Sequence, residues 1–160
     1  MIRQLRWPAF IPVLLLLLSG CSGDRVKSGL DNLESWHSYF NGKRAGIITN
    51  HTGVDNTGRT VLEKMSELDG CRVSALFAPE HGAMGKWLRG EPVNHSSFEN
   101  IPVFSLYGKT RKPTVKMLEN VDILIFDIQD IGARFYTYLS TMSLAMEAAA
   151  EQEISFVVLD

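Results

Sequence analysis

"VDILIFDIQDIGARFYTY", residues 121–138, decides the fold. Between Asp122 and Asp127 every side chain is apolar on consecutive positions, the pattern of a strand covered on both faces. Such strands belong to parallel sheets, whose crossover helices do the covering. Working outward, similar runs recur as "RAGIIT" (44–49), "RVSALF" (72–77), "IPVFSL" (101–106) and "ISFVVLD" (154–160). Helical patterns separate them. "NTGRTVLEKMSEL" sets Val61, Leu62, Met65 and Leu68 on one face, and "YTYLSTMSLAMEAAAEQ" sets Leu139, Met142, Met146 and Ala149 at spacings of three, four and three. Strands alternating with helices predict an α/β domain, an open parallel sheet with flanking helices, over residues 42–160.

Ahead of this domain the chain changes character. Arg3 and Arg6 precede "PAFIPVLLLLL", which is too short to span a bilayer as a stable helix and has the length of a signal-peptide core. It ends in Leu18-Ser19-Gly20-Cys21, which resembles a bacterial lipobox, so residues 1–20 are expected to be removed and Cys21 lipidated. An exported lipoprotein is the expectation, held to a membrane by acyl chains and facing the periplasm or cell exterior. Residues 21–41 read as a polar linker running into a short helix marked by Leu30, Leu33, Trp36 and Phe40. Without Arg3 and Arg6, fourteen basic side chains remain against eighteen acidic, a formal charge of −4. That balance argues against a nucleic-acid partner. With Cys21 acylated, Cys71 has no partner for a disulfide and reads as a small buried hydrophobe.

In an open parallel sheet, ligands bind at the loops leaving the carboxyl ends of the strands. Those loops are "NHTGVDNTG", the long "APEHGAMGKWLRGEPVNHSS", "YGKTRKPT" and "DIQDIGARFYTY". Glu80, after Pro79 and before Gly82, is placed for partial desolvation, which raises a carboxyl pKa and suits it to donate a proton. A surface ion pair or a helix cap is the plainer reading of Glu80 and His81. Asp127, Asp130, Arg134 and the rings of Phe135, Tyr136 and Tyr138 make a polar site with flat walls, suited to a sugar. The plainer alternative there has Asp127 capping a helix, Asp130 paired with Arg134, and Phe135 in the core. Asn50 and His51 leave the first strand in "TNHTG", which has neither the G-x-G-x-x-G spacing nor the P-loop lysine, and this argues against a nucleotide cofactor. His51, His81, Asp127 and Asp130 are possible metal ligands by residue type, but no H-E-x-x-H spacing supports a metal. Lys109, Arg111 and Lys112 form a basic cluster that a solvated loop explains, or that an anionic substrate group would use.

Taken together, "GKRAGIITNHTGVD", "LFAPEHG", "VFSLYGKTRKPT" and "VDILIFDIQDIGARFYTYLSTM" resemble the N-terminal domain of the NamZ (YbbC-like) family of exo-β-N-acetylmuramidases, over about residues 42–160. The resemblance implies a Rossmann-like domain followed by a smaller second domain, with the cleft between them. It implies hydrolysis of terminal β-1,4-linked N-acetylmuramic acid from peptidoglycan fragments, with no nucleotide or metal. Glu80 matches the glutamate of the family's "PEHG" motif and is expected to be the acid; Asp127 and Asp130 match its acidic pair. Asn50, His51, His81, Arg111, Arg134, Tyr136 and Tyr138 are the expected substrate contacts, with Arg134 or Arg111 opposite the lactyl carboxylate. Glycoside cleavage usually employs one protonated and one ionised carboxyl, on opposite sides of the sugar bond. If the strands before Glu80 and Asp127 flank the first strand, their ends lie roughly 10 Å apart. Because the sequence stops at "FVVLD", the resemblance implies a missing second domain, through a fragment, a truncation or a separately encoded partner. The competing readings are a non-catalytic muropeptide- or sugar-binding lipoprotein module, and a metal hydrolase.

Overall fold

The computed structural model describes residues 26–79, 96–98 and 100–159. The leader, Cys21, Glu80 and His81 lie outside the described residues. Six strands form one sheet: β1 (Arg44–Thr49), β2 (Arg72–Ala78), β3 (Ser96–Phe98), β4 (Ile101–Ser105), β5 (Ile123–Asp127) and β6 (Ser155–Val158), in the order β3-β4-β2-β1-β5-β6. All pairings are parallel except β3 with β4. Leaving aside the antiparallel edge strand, the order of the five parallel strands is 3-2-1-4-5, that of a Rossmann-type half-sheet continued past its reversal. The direction of winding reverses at β1, so the crevice of the fold opens between the carboxyl ends of β1 and β5.

Consecutive apolar residues are explained by alternation between two cores. On one face Ala45, Ile47, Leu76, Ile123 and Ile125 meet Val61, Leu62 and Met65 of α2 (Val61–Glu67), together with Leu30, Leu33 and Phe40 of the amino-terminal segment. That segment forms a 3₁₀ turn at Leu33–Trp36 and one turn of helix, α1 (His37–Phe40). On the other face Ile48, Phe77, Leu124 and Phe126 meet Leu118 of α3 (Val115–Leu118) and Ala145, Ala148 and Ala149 of α4 (Tyr138–Glu151). The start of α2 is set by a capping box: Thr60 Oγ1 accepts from Glu63 N at 3.2 Å, and Glu63 Oε2 accepts from Thr60 N at 2.7 Å. At the amino end of the sheet, Arg44 grips Asp122 through Nε and Nη2 at 2.9 and 2.8 Å, fixing β1 against β5. Both side chains are about two-fifths exposed, so this pair contributes less to stability than to register.

Three readings of the sequence need correction. The buried face of α4 is Tyr138, Thr141, Ala145, Ala148 and Ala149; of the residues expected there Ala149 is buried and Met142 packs partly against the core, while Leu139 and Met146 are 60% and 46% exposed. Small alanines let the helix lie close on the sheet, and Leu139 and Met146 turn outward. Trp36 is 62% exposed rather than part of the amino-terminal apolar stripe. Strand β3 carries no apolar alternation in Ser96 and Ser97 and so left no mark, its first two residues being read as the end of the long loop; it pairs antiparallel with β4, ahead of which Asn100 has φ 70°.

Where β1 crosses the second face, Gly46 is hemmed in. A Cβ there would lie 3.0 Å from the Phe77 ring and 3.1 Å from both Leu124 and Val121. Gly46→Val is therefore expected to cost about 1–3 kcal/mol, read as a lowered urea midpoint. An unchanged midpoint would show that this face has slack.

Candidate active site

The register of the two central strands sets Thr49 opposite Asp127. Asp127 thus ends β5 at the mouth of the crevice, yet it is only 2% exposed. Burial pushes its carboxyl up from the ordinary aspartate range to about 7. Its Oδ2 has no hydrogen-bond partner among the described residues. Gly53, on the loop leaving β1, closes over this carboxyl: a Cβ there would lie 2.9 Å from Asp127 Oδ2, 2.8 Å from its carbonyl oxygen, and against the Thr49 hydroxyl. Only glycine permits that approach.

The loops after β1 and β5 are joined by a short polar chain. The backbone N–H of Gln129 donates to Thr52 Oγ1 at 3.0 Å, and the Thr52 hydroxyl donates to Asn50 Oδ1 at 2.6 Å. Asn50 Oδ1 also accepts from Thr52 N at 2.8 Å. With its oxygen so engaged, Asn50 is 4% exposed and its Nδ2 has no partner among the described residues. Asp130 accepts from Gly132 N at 2.7 Å through Oδ1, while its Oδ2 is unpartnered in the same sense. Thr137, ahead of α4, holds a further unpartnered hydroxyl. An unsatisfied buried polar group costs about 1–3 kcal/mol. All four such atoms among the described residues lie at the carboxyl end of β5 or on the loops after β1 and β5.

The remaining candidates separate. Phe135 is 83% exposed and stacks on Tyr136 at 5.4 Å, and Tyr136 meets Tyr138 at 5.7 Å. Phe135 is thus not a core residue, and Tyr138 is: its ring packs with Ile48 and Phe126, which takes it out of the open wall expected from the sequence. Arg134 is exposed and makes no ion pair with Asp130. Among the basic residues, Lys112 is engaged by Glu147 and Glu151 at 2.8 Å each. Arg111 instead lines a depression of about 170 Å³ that also includes Thr137. His51 is exposed and borders a recess of about 160 Å³ beside Asn50 and Gly53. Pro79, buried, is the last described residue before Glu80 and His81. β2 and β5 do flank β1, as the sequence suggested for the strands before Glu80 and Asp127. No group of three or more His, Cys, Asp or Glu side chains among the described residues is placed to hold a metal. Thr52 and Gly53 were missed by the sequence reading. Their only trace was the "NHTG" turn, where Asn two residues before Thr is the signature of a side chain bonding its own backbone.

A Rossmann-type sheet whose crevice collects a near-neutral carboxyl and unpaired donors has the construction of a small-molecule site. The profile described as "Exo-beta-N-acetylmuramidase NamZ, N-terminal" matches residues 45–160, and the chain belongs to that family. It is 48% identical over 139 residues to the peptidoglycan β-N-acetylmuramidase NamZ of Bacillus subtilis, covering 85% of this chain and 34% of that protein. Two crystal structures of DUF1343 family proteins from Bacteroides fragilis superpose on it. The first has a TM-score of 0.76 at 47% identity, covering 85% of this chain and 34% of the other; the second has 0.69 at 33%, covering 86% and 35%. The chain thus spans about a third of the length of these relatives.

The raised Asp127 carboxyl carries a stability consequence. Because the folded state holds this proton more tightly than the unfolded chain, the conformational stability is fullest below the ordinary aspartate value and falls as pH rises through about 7. Asp127→Asn removes that loss, on the order of 4 kcal/mol at most. Urea denaturation at pH 5 and pH 8 should show a clear drop for the native chain and a flatter response for the variant. Parallel behaviour of the two would refute the buried, unpaired state of Asp127.

Proposed function

We propose that this chain is the catalytic Rossmann-like part of an exo-acting glycoside hydrolase that releases terminal β-1,4-linked N-acetylmuramic acid from peptidoglycan fragments in cell-wall turnover. Family membership and the name of the Bacillus subtilis relative support the reaction class. The observation that carries it to particular atoms is the buried Asp127 carboxyl, raised to about 7 in a crevice of unpaired polar groups. A carboxylate with that affinity for protons is a competent general base near neutral pH. In this scheme Glu80 protonates the departing glycosidic oxygen and Asp127 takes a proton from the attacking water, which then bonds to the anomeric carbon. Asp130, Asn50, His51 and His81 hydrogen-bond the sugar, Tyr136 and Phe135 offer it a face, and Arg111 or Arg134 receives the lactyl carboxylate.

The cellular setting belongs to the same proposal. The lipobox-like Leu18-Ser19-Gly20-Cys21 supports export and acylation of Cys21, which would tether the domain to a membrane where peptidoglycan fragments are at hand. The remaining two-thirds that the relatives carry supplies, on this view, the other wall of the cleft.

A chromogenic N-acetylmuramide tests the scheme, with this chain assayed alone and together with the remaining segment of a relative. Release is expected to fall as pH drops below about 7, following Asp127, and Glu80→Gln and Asp127→Asn should each lower kcat by about 10²–10⁴. Undiminished release by either variant removes that residue from the chemistry. Sugar binding without release in both settings would favour a non-catalytic sugar-binding module.

A further inference from the structure

The recess beside Asn50 is unused by this acid–base scheme. It measures about 160 Å³; Thr49, Asn50, His51, Gly53 and Thr60 line its polar side, and Val61, Leu62 and Leu76 form its floor. The Asn50 Nδ2 group is buried and unpartnered among the described residues while its Oδ1 is held by Thr52; the Thr49 and Thr60 hydroxyls donate to Asn50 O and Glu63 Oε2, and His51 stands exposed at the rim. Gly53 links the recess to the crevice, since its Cα stands close against the Asp127 carboxyl.

A donor above an apolar floor matches a group with a carbonyl oxygen and a small hydrocarbon end. A hydroxyl would leave the floor unused, and a carboxylate would be stripped of water there with Asp127 close by. An acetamide satisfies both parts. An apolar cavity of roughly 150 Å³ accepts a benzene-sized group, so the recess takes an acetamide with ease but not a whole saccharide unit.

We propose that this recess is the acetamido pocket of the site: Asn50 Nδ2 donates to the acetamide oxygen, and the methyl group rests on Val61, Leu62 and Leu76. The assignment rests on the glycosidase reading and deepens it, making Asn50 a specificity-determining residue rather than a participant in bond cleavage. Gly53 then serves to bring the pocket and the Asp127 carboxyl to adjacent positions on one sugar.

Calorimetric binding of N-acetylmuramic acid and of 3-O-lactyl glucose, which carries a hydroxyl in place of the acetamide, tests this on the full chain together with the remaining segment of a relative. The native protein should prefer the N-acetyl sugar by about tenfold or more, as a hydrogen bond and a buried methyl group together require. Asn50→Asp retains an acceptor for both Thr52 bonds but replaces the donor with a carboxylate oxygen, and should bring the two affinities within about threefold. Should that variant unfold, the native protein's preference alone decides. Equal binding of both sugars by the native chain overturns the pocket and leaves the glycosidase reading standing. Failure to bind either sugar overturns that reading and the pocket with it.

Discussion

The structure turns on the position of one carboxyl. The parallel register of β1 and β5 carries Asp127 to the end of a fully buried strand, where Thr49 lies opposite and Gly53 closes over the top. No cation and no hydrogen-bond donor among the described residues compensates Oδ2. Desolvation is therefore left to act alone, and it holds the group near neutrality. Had a lysine or a backbone N–H faced the same oxygen, Asp127 would be an ordinary ionised tether of the sheet.

Around that carboxyl the fold tolerates polar atoms that folding alone would eliminate. Asn50 Nδ2, Asp130 Oδ2 and the Thr137 hydroxyl are buried without partners, while elsewhere the described polar groups are well served: Arg44 by Asp122, Thr60 by Glu63, Lys112 by two glutamates. The two central strands make this affordable. Their side chains alternate between two cores, so the sheet is anchored on both faces and its carboxyl rim can carry unsatisfied groups. The Thr52 bridge from Asn50 to Gln129 ties the loop after β1 to the loop after β5.

Much of the scaffold was legible in the residues. Runs such as "RAGIIT" and "VDILIFD" admit little besides strands covered on two faces, and they fall where β1 and β5 lie. The face of α4 was legible only in Met142 and Ala149, because hydrophobic size pointed to Leu139 and Met146 whereas close packing on a sheet selects Ala145 and Ala148. For the same reason Tyr138, third in a row of similar rings, could not be told from Tyr136: sequence records the ring and not which side of the helix start it occupies. The acidic pair was visible as residue types, but the difference between them was not. Asp127 is stripped of partners by tertiary burial, whereas Asp130 bonds its own loop through Gly132. Glu80 and His81 stand on the motif and on the family to which the chain belongs.

What most directly decides the account is the protonation of Asp127 itself. A carbon-detected NMR titration of its side-chain carboxyl in the folded chain should give a midpoint of about 7. A midpoint near 3.9, the value of an aspartate in water, would mean that the group is solvated or paired, and the proposed chemistry would lose its base.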